Sequence, residues 1–241
     1  MRISEIFYSI QGEGILAGVP SVFVRTSGCN LRCTWCDTPY TSWNPEGRDY
    51  SIEEIVAEVL QSRDRKGAVL TPFPQRHSGH VIVTGGEPMI TDGIVELTHG
   101  LKQSGMHVTI ETAGTVHKDV VCDLMSISPK LANSTPHQRD GGRWAAQHDR
   151  LRYQPEVLKQ LTREFEYQLK FVVTSPDDLA EIESMLQEIS ADRARVVLMA
   201  EGTDAATIRE RAAWITEICK REGFRYSPRL HIDVWGNRRG V

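Results

Sequence analysis

No apolar run in this 241-residue sequence approaches the roughly 20 residues needed to cross a bilayer. The opening stretch, residues 1–14, lacks the basic-then-apolar layout of a secretory signal, so a cytoplasmic protein is expected, with no membrane partner. Charge of one sign is not in excess either. Twenty-eight basic against 32 acidic residues leave a net charge of −4, and no basic stripe carries interleaved aromatics, which argues against a nucleic-acid partner. Aromatics are sparse at 7%. The eight histidines form neither an H-x3-H nor an HExxH pattern, and there is no internal repeat. Cysteine is scarce and odd in number: five residues, at 29, 33, 36, 122 and 219, cannot build a disulfide framework in a reducing compartment.

What is present is an alternation of β-rich runs and amphipathic helical patterns, in a chain long enough for one sizeable α/β domain spanning 1–241 but cramped for two. Strands are predicted at Ser21–Thr26, His80–Thr84, His107–Glu111, Val120–Ile127, Tyr167–Val173, Arg195–Met199 and Leu230–Val234. Most are continuous apolar or β-branched runs, as parallel strands buried on both faces should be. Between them Ser51 and Glu54 form a capping box ahead of Ile52, Ile55, Val56, Val59 and Leu60. Asp92 can cap a helix that Gly105 ends, Pro176 suits the first turn of another, and a last helix runs from about Asp204 to Glu222 and stops at Gly223. Strand–helix alternation implies right-handed parallel crossovers, in either an open doubly wound sheet or an incomplete barrel. Two insertions, 62–79 and 132–154, are rich in charge, Gly and Pro and are expected as surface loops, lids or partner-binding surfaces.

Three of the cysteines crowd into Cys29-Asn-Leu-Arg-Cys33-Thr-Trp-Cys36, directly after the first predicted strand. Parallel α/β folds place their active sites at such strand ends. Three thiolates at spacings of four and three can hold one corner of a 4Fe–4S cluster and leave one iron without a protein ligand. That iron can chelate the amino and carboxylate groups of an amino acid such as methionine. A sulfonium placed beside a reduced cluster can be cleaved by one electron to an adenosyl radical, hard chemistry that the cofactor carries. A structural zinc site would need a fourth Cys or His, which only distant histidines could supply. Three unligated buried cysteines are the other alternative. Cys122 and Cys219 lie among apolar neighbours, on a predicted strand and a helix face, and are expected in the core. His99 is expected to be exposed.

The cysteine motif resembles the signature of the radical S-adenosylmethionine superfamily, and Thr84-Gly-Gly-Glu-Pro88 resembles its element that holds the methionine amino group. Four further segments resemble the 7-carboxy-7-deazaguanine synthases within it: Glu5–Gly14, Cys36-Asp-Thr38, Ile127-Ser-Pro-Lys130 and His231–Val241. The resemblance implies a partial TIM-type barrel of parallel strands with flanking helices. It also implies ring contraction of 6-carboxy-5,6,7,8-tetrahydropterin to 7-carboxy-7-deazaguanine with loss of ammonia, a carbon–nitrogen lyase reaction in queuosine and 7-deazapurine biosynthesis. Carried onto matching positions, Cys29, Cys33 and Cys36 hold the [4Fe-4S] cluster and Thr38 binds Mg2+, with Asp37 a rival on charge alone. Ile10, Gln11, Gly12, Arg25 and Thr84 meet the pterin; Gly86, Ser128, Pro129 and Lys130 meet S-adenosyl-L-methionine. A homodimer and an external flavodoxin- or ferredoxin-like reductant are further implications. The tail with Trp235, Arg238 and Arg239 is expected near the pterin pocket or a dimer partner. A radical activase that installs a glycyl radical on a partner enzyme, gripping it through the insertions, is the alternative.

Overall fold

The computed structural model describes residues 1–65 and 79–241. Strands β1 (Arg2–Ile10) and β2 (Pro20–Thr26) form an antiparallel hairpin, and β3 (Arg48–Asp49) adds antiparallel to the outer side of β1. From β2 the sheet continues in parallel through β4 (His80–Gly85), β5 (His107–Thr112), β6 (Leu124–Ile127), β7 (Tyr167–Val173), β8 (Val196–Ala200) and β9 (Arg225–Ser227). The helices are α1 (Pro39–Ser42), α2 (Ile52–Arg65), α3 (Ile94–Gln103), α4 (Ala145–Arg152), α5 (Pro155–Glu164), α6 (Asp178–Ile189), α7 (Ala205–Glu222) and α8 (Leu230–Trp235).

Several expectations need correction. The all-parallel expectation misses the hairpin: β1 reads RISEIFYSI, mostly half-buried, and a register shift between Ile3 and Glu5 breaks its alternation. The strand expected at Val120–Ile127 begins only at Leu124, because Asp123 turns its carboxylate onto the Val108 N–H and the Lys102 ammonium. Cys122 therefore sits in a loop, packed against the core. Leu230–Val234 is helical, not extended. Its apolar residues at 230, 232 and 234 mimic a strand period, yet Ile232 is buried while Val234 is 60% exposed. Asp92 caps nothing; Gly93, at φ 81°, holds that position, and Asp177 rather than Pro176 opens α6. The Ser51–Glu54 box is formed in both directions, at 3.2 and 2.7 Å. Asp204 caps α7, which ends at left-handed Gly223. His99 is exposed, and Cys219 is buried. Of the 62–79 insertion, residues 66–78 lie outside the described residues.

Two features of the sheet position the site. First, side chains alternate between its faces. Val22, Val24, Val81, Val83, Val108, Ile110, Leu169 and Phe171 join the apolar core with the helices. The opposite parity carries Arg25, Thr84, Glu111, Ser126, Gln168 and Lys170 among buried Phe23, Ile82 and Val172, the more polar of the two faces. Second, the turn after β1 reaches across to the far strands. The Gly14 N–H donates to Ser227 Oγ at 2.7 Å, and the Ile15 N–H to Gln168 Oε1 at 2.9 Å. These bonds curl the open sheet into a partial barrel whose inner face is the polar one.

Candidate active site

Each parallel strand delivers its functional residues at its C-terminal end, where successive loops converge on the barrel mouth. After β2 comes the cysteine loop. Its fold is dictated by carbonyls and N–H groups that neighbouring elements satisfy. The Gly28 N–H donates to Thr41 O at 2.8 Å, and Trp43 Nε1 donates to Cys33 O at 3.1 Å. The 132–154 insertion supports the loop from outside. Thr34 N–H donates to Ser134 O, Trp35 Nε1 to Asn133 O, and Arg32 N–H to Nδ1 of the buried His148, at 2.8, 3.1 and 3.1 Å. Because His148 Nδ1 accepts, its proton is on Nε2 and points at Ser134 Oγ, 2.8 Å away.

Cys29, Cys33 and Cys36 line one cavity of about 930 Å³, its open mouth included, together with Gly86, Ser128 and Lys130. Burial pushes the Cys33 thiol up to about 12 and Cys29 further still, so binding a metal group there must displace protons. Among the described residues no three His, Cys, Asp or Glu side chains converge closely enough for a single ion, which does not suit a tetrahedral zinc site. Three thiols around one cavity, with no fourth Cys and no His lining it among the described residues, are the donor set that a cuboidal cluster with an open iron requires. The backbone opposite is held close: a Cβ on Gly86 would sit 2.1 Å from Gly28 O. Buried Glu87 fixes this turn by accepting from Met89 N–H, Thr112 Oγ1 and Ala113 N–H, at 3.0, 2.8 and 2.7 Å. Lys130 Nζ bonds Ser128 O and Oγ at 2.8 Å, whereas Pro129 is buried and lines neither this cavity nor its neighbour.

A second cavity, about 1200 Å³ including its open mouth, adjoins the first through Thr38, Asp37, Thr84, Gly85 and Glu111, which border both. Ile10, Gln11, Gly12 and Arg25 line it, and the tail closes it with Asn237–Val241, while Trp235 does not reach it. Arg25 uses Nε on Glu5, 2.7 Å away, leaving the terminal nitrogens of its fork without a hydrogen bond among the described residues. Sequence reasoning missed Glu111. It accepts from Gln11 Nε2 at 3.0 Å and Thr84 Oγ1 at 2.8 Å, so one carboxylate orients two of the anticipated residues. Its place at the end of a parallel strand, on the polar parity, was the available signal.

Also missed was a charged cluster where the cavities meet. Arg229, 5% exposed, donates to Glu13 Oε1 at 3.0 Å and also to Asp37 Oδ2 and the Gly202 carbonyl. Glu13 bonds Lys170 as well. Burial opposes charge on all of these groups. For Glu13 it is outweighed by Lys170 and Arg229, which hold the carboxyl far below its usual range. Asp37 is likewise held down by Arg229, and Lys170 held up by Glu13. His231 is shifted down, chiefly by burial.

Residues 23–133 match the model of the radical SAM superfamily. The chain is 47% identical to the 7-carboxy-7-deazaguanine synthase of Halobacterium salinarum, over 98% of this chain and 91% of that one. It is 44% identical to the one from Rhodopirellula baltica, over 100% and 89%. The crystal structure of QueE from Escherichia coli superposes with a TM-score of 0.67 at 26% identity, covering 95% and 94% of the two chains. The open, curled sheet with flanking helices is thus the partial barrel of a radical SAM core. The chain belongs to the 7-carboxy-7-deazaguanine synthases, carbon–nitrogen lyases of the radical SAM superfamily.

Proposed function

We propose that this chain, acting as one domain over 1–241, contracts 6-carboxy-5,6,7,8-tetrahydropterin to 7-carboxy-7-deazaguanine and releases ammonia, as a cytoplasmic homodimer in queuosine or related 7-deazapurine biosynthesis. The observation that carries this reading is the pair of adjoining cavities: three thiols line one, Arg25 lines the other with the terminal nitrogens of its fork unbonded among the described residues, and Thr38, Thr84 and Glu111 stand between. In this reading Cys29, Cys33 and Cys36 hold the [4Fe-4S] cluster, with electrons from a flavodoxin- or ferredoxin-like carrier. Together with S-adenosyl-L-methionine it supplies the one-electron cleavage that makes hydrogen abstraction from an unactivated carbon possible.

The protein's own work is positioning and shielding. Gly86 offers backbone at close range to the methionine end of S-adenosylmethionine. Ser128, with its hydroxyl held by Lys130, serves the rest of that ligand, and Pro129 supports the turn between them. Ile10 and Gly12 offer apolar and backbone surface to the pterin ring, and Gln11 and Thr84, both oriented by Glu111, read its polar edge. Arg25 takes the substrate carboxylate in its planar fork. The Thr38 hydroxyl would be the protein's ligand to Mg2+, a hard cation that would favour this oxygen together with the substrate carboxylate.

The radical activase reading is disfavoured by the tail, since Asn237–Val241 wall the second cavity where a partner's glycyl loop would have to enter. The test is an anaerobic assay of reconstituted protein with dithionite, S-adenosylmethionine, Mg2+ and the tetrahydropterin, followed by mass spectrometry. Expected is 7-carboxy-7-deazaguanine; 5′-deoxyadenosine without any deazapurine would remove the substrate assignment.

A further inference from the structure

We propose that Arg229 is a positioning residue that occupies Asp37 and so keeps the metal site dependent on substrate, leaving Thr38 as the protein's ligand. This rests on the Mg2+ reading above. Asp37 and Thr38 are neighbours, and both border both cavities. A divalent cation entering there meets a carboxylate whose side chain is 39% exposed, by charge the stronger ligand of the two. Left alone, Asp37 would draw the ion whether or not the pterin had arrived.

The geometry prevents this. Arg229 comes from the segment between β9 and α8 and is buried to 5%. Its three donor nitrogens are fixed by three different parts of the chain: Nε by Glu13 at the end of the β1 segment, Nη1 by the Gly202 carbonyl after β8, and Nη2 by Asp37. An arginine held by two other segments cannot follow Asp37 if that side chain turns towards a cation. Each step Asp37 takes towards the ion therefore loses a charge-assisted bond and leaves the guanidinium underpaired in a buried place. Lys170, bonded to Glu13, adds a second positive charge behind the first. Arg229 and Lys170 are matched by Glu13 and Asp37, so the cluster offers a lone cation no unpaired carboxylate, and the substrate carboxylate supplies that missing negative charge. Thr38 escapes this arrangement because its hydroxyl carries no charge for Arg229 to capture; among the described residues its hydroxyl meets Cys36 Sγ, 3.8 Å away.

The test uses Mn2+ as probe and its electron paramagnetic resonance as readout, on anaerobically reconstituted, cluster-loaded protein with S-adenosylmethionine, with and without the tetrahydropterin. Wild type should bind Mn2+ only when the pterin is present. Arg229→Gln, shown by circular dichroism to be folded, should bind it without the pterin at least tenfold more tightly than wild type does. Adding Asp37→Asn to that variant should abolish the gain. Asp37→Asn alone keeps the hydrogen-bonding shape and should change substrate-dependent Mn2+ affinity less than threefold. It decides the matter if the arginine variant fails to fold. Loss of the substrate-dependent site in Asp37→Asn, or no substrate-independent site in folded Arg229→Gln, overturns the proposal. A wild type that binds no Mn2+ even with the pterin present removes the magnesium reading and the arginine's role with it, whereas the assay for deazaguanine stands apart from both.

Discussion

Two buried histidines make the fold sensitive to mild acid. His80 bridges Ser21 Oγ and Thr109 Oγ1 at 2.8 Å on either side. His148 props the cysteine loop by accepting the Arg32 N–H. Both are nearly inaccessible, at 7% and 1% exposure, and burial lowers both from 6.5 to about 4. A histidine whose folded pKa is depressed contributes stability that is complete above the unfolded value and lost as pH falls from about 6.5 towards about 4, where only the unfolded chain takes up the proton. Between about pH 7 and about pH 5.5, each should therefore cost about 1.2 kcal/mol, and the pair about 2.5 kcal/mol. That is a sizeable share of a total stability of about 5–15 kcal/mol. The measurement is anaerobic urea unfolding of cluster-free protein at the two pH values, for wild type, His80→Gln and His148→Gln. Each variant should shrink the pH-dependent loss by about 1 kcal/mol, whatever its own stability. His231 shifts in the same direction but is common to all three proteins and cancels, whereas His107, whose ring lies 4.9 Å from that of His80, cancels only between wild type and His148→Gln, which makes that pair the stricter comparison. If both variants keep the full wild-type difference, the two imidazoles are not the titrating groups and the reasoning fails.

Cys33→Ala should abolish cluster absorbance and S-adenosylmethionine cleavage together; retained cleavage would remove this thiol from the cluster. Arg25→Ala should spare slow 5′-deoxyadenosine formation but raise KM for the pterin by roughly thirtyfold, the equivalent of about 2 kcal/mol for a charged hydrogen bond; an unchanged KM counts against its role. Gly86→Ala places a methyl group against Gly28 O and Thr41 O. It should destabilise the protein by about 1–3 kcal/mol and weaken S-adenosylmethionine binding, read by calorimetry on loaded protein. Glu87→Gln puts an amide where three donors already point and should cost about 1–3 kcal/mol in urea unfolding; a neutral result would mean that the carboxyl is already protonated in the folded protein.

Some features are legible in short segments because a cavity lined by thiols and a close backbone approach both depend on residue type at fixed spacing. Cys29, Cys33, Cys36 and the Gly85–Gly86 pair were legible for that reason, as were the central parallel strands, whose β-branched runs have no helical period. Local capping chemistry was equally readable at Ser51 and Asp204, where donor and acceptor lie within three residues of each other. Other features were decided by contacts between residues far apart in sequence. β1 is a strand because β2 lies beside it, and residues 230–235 form a helix whose first N–H is anchored by Gly12 O. Glu111 acquires its role from partners 100 and 27 residues away, and Arg229 from Glu13 and Asp37, 216 and 192 residues away. A lone charge on a β-strand or in a loop reads as solvated until the fold removes its water. Burial then forces each such charge to find an opposite one, and only the curled partial barrel determines which.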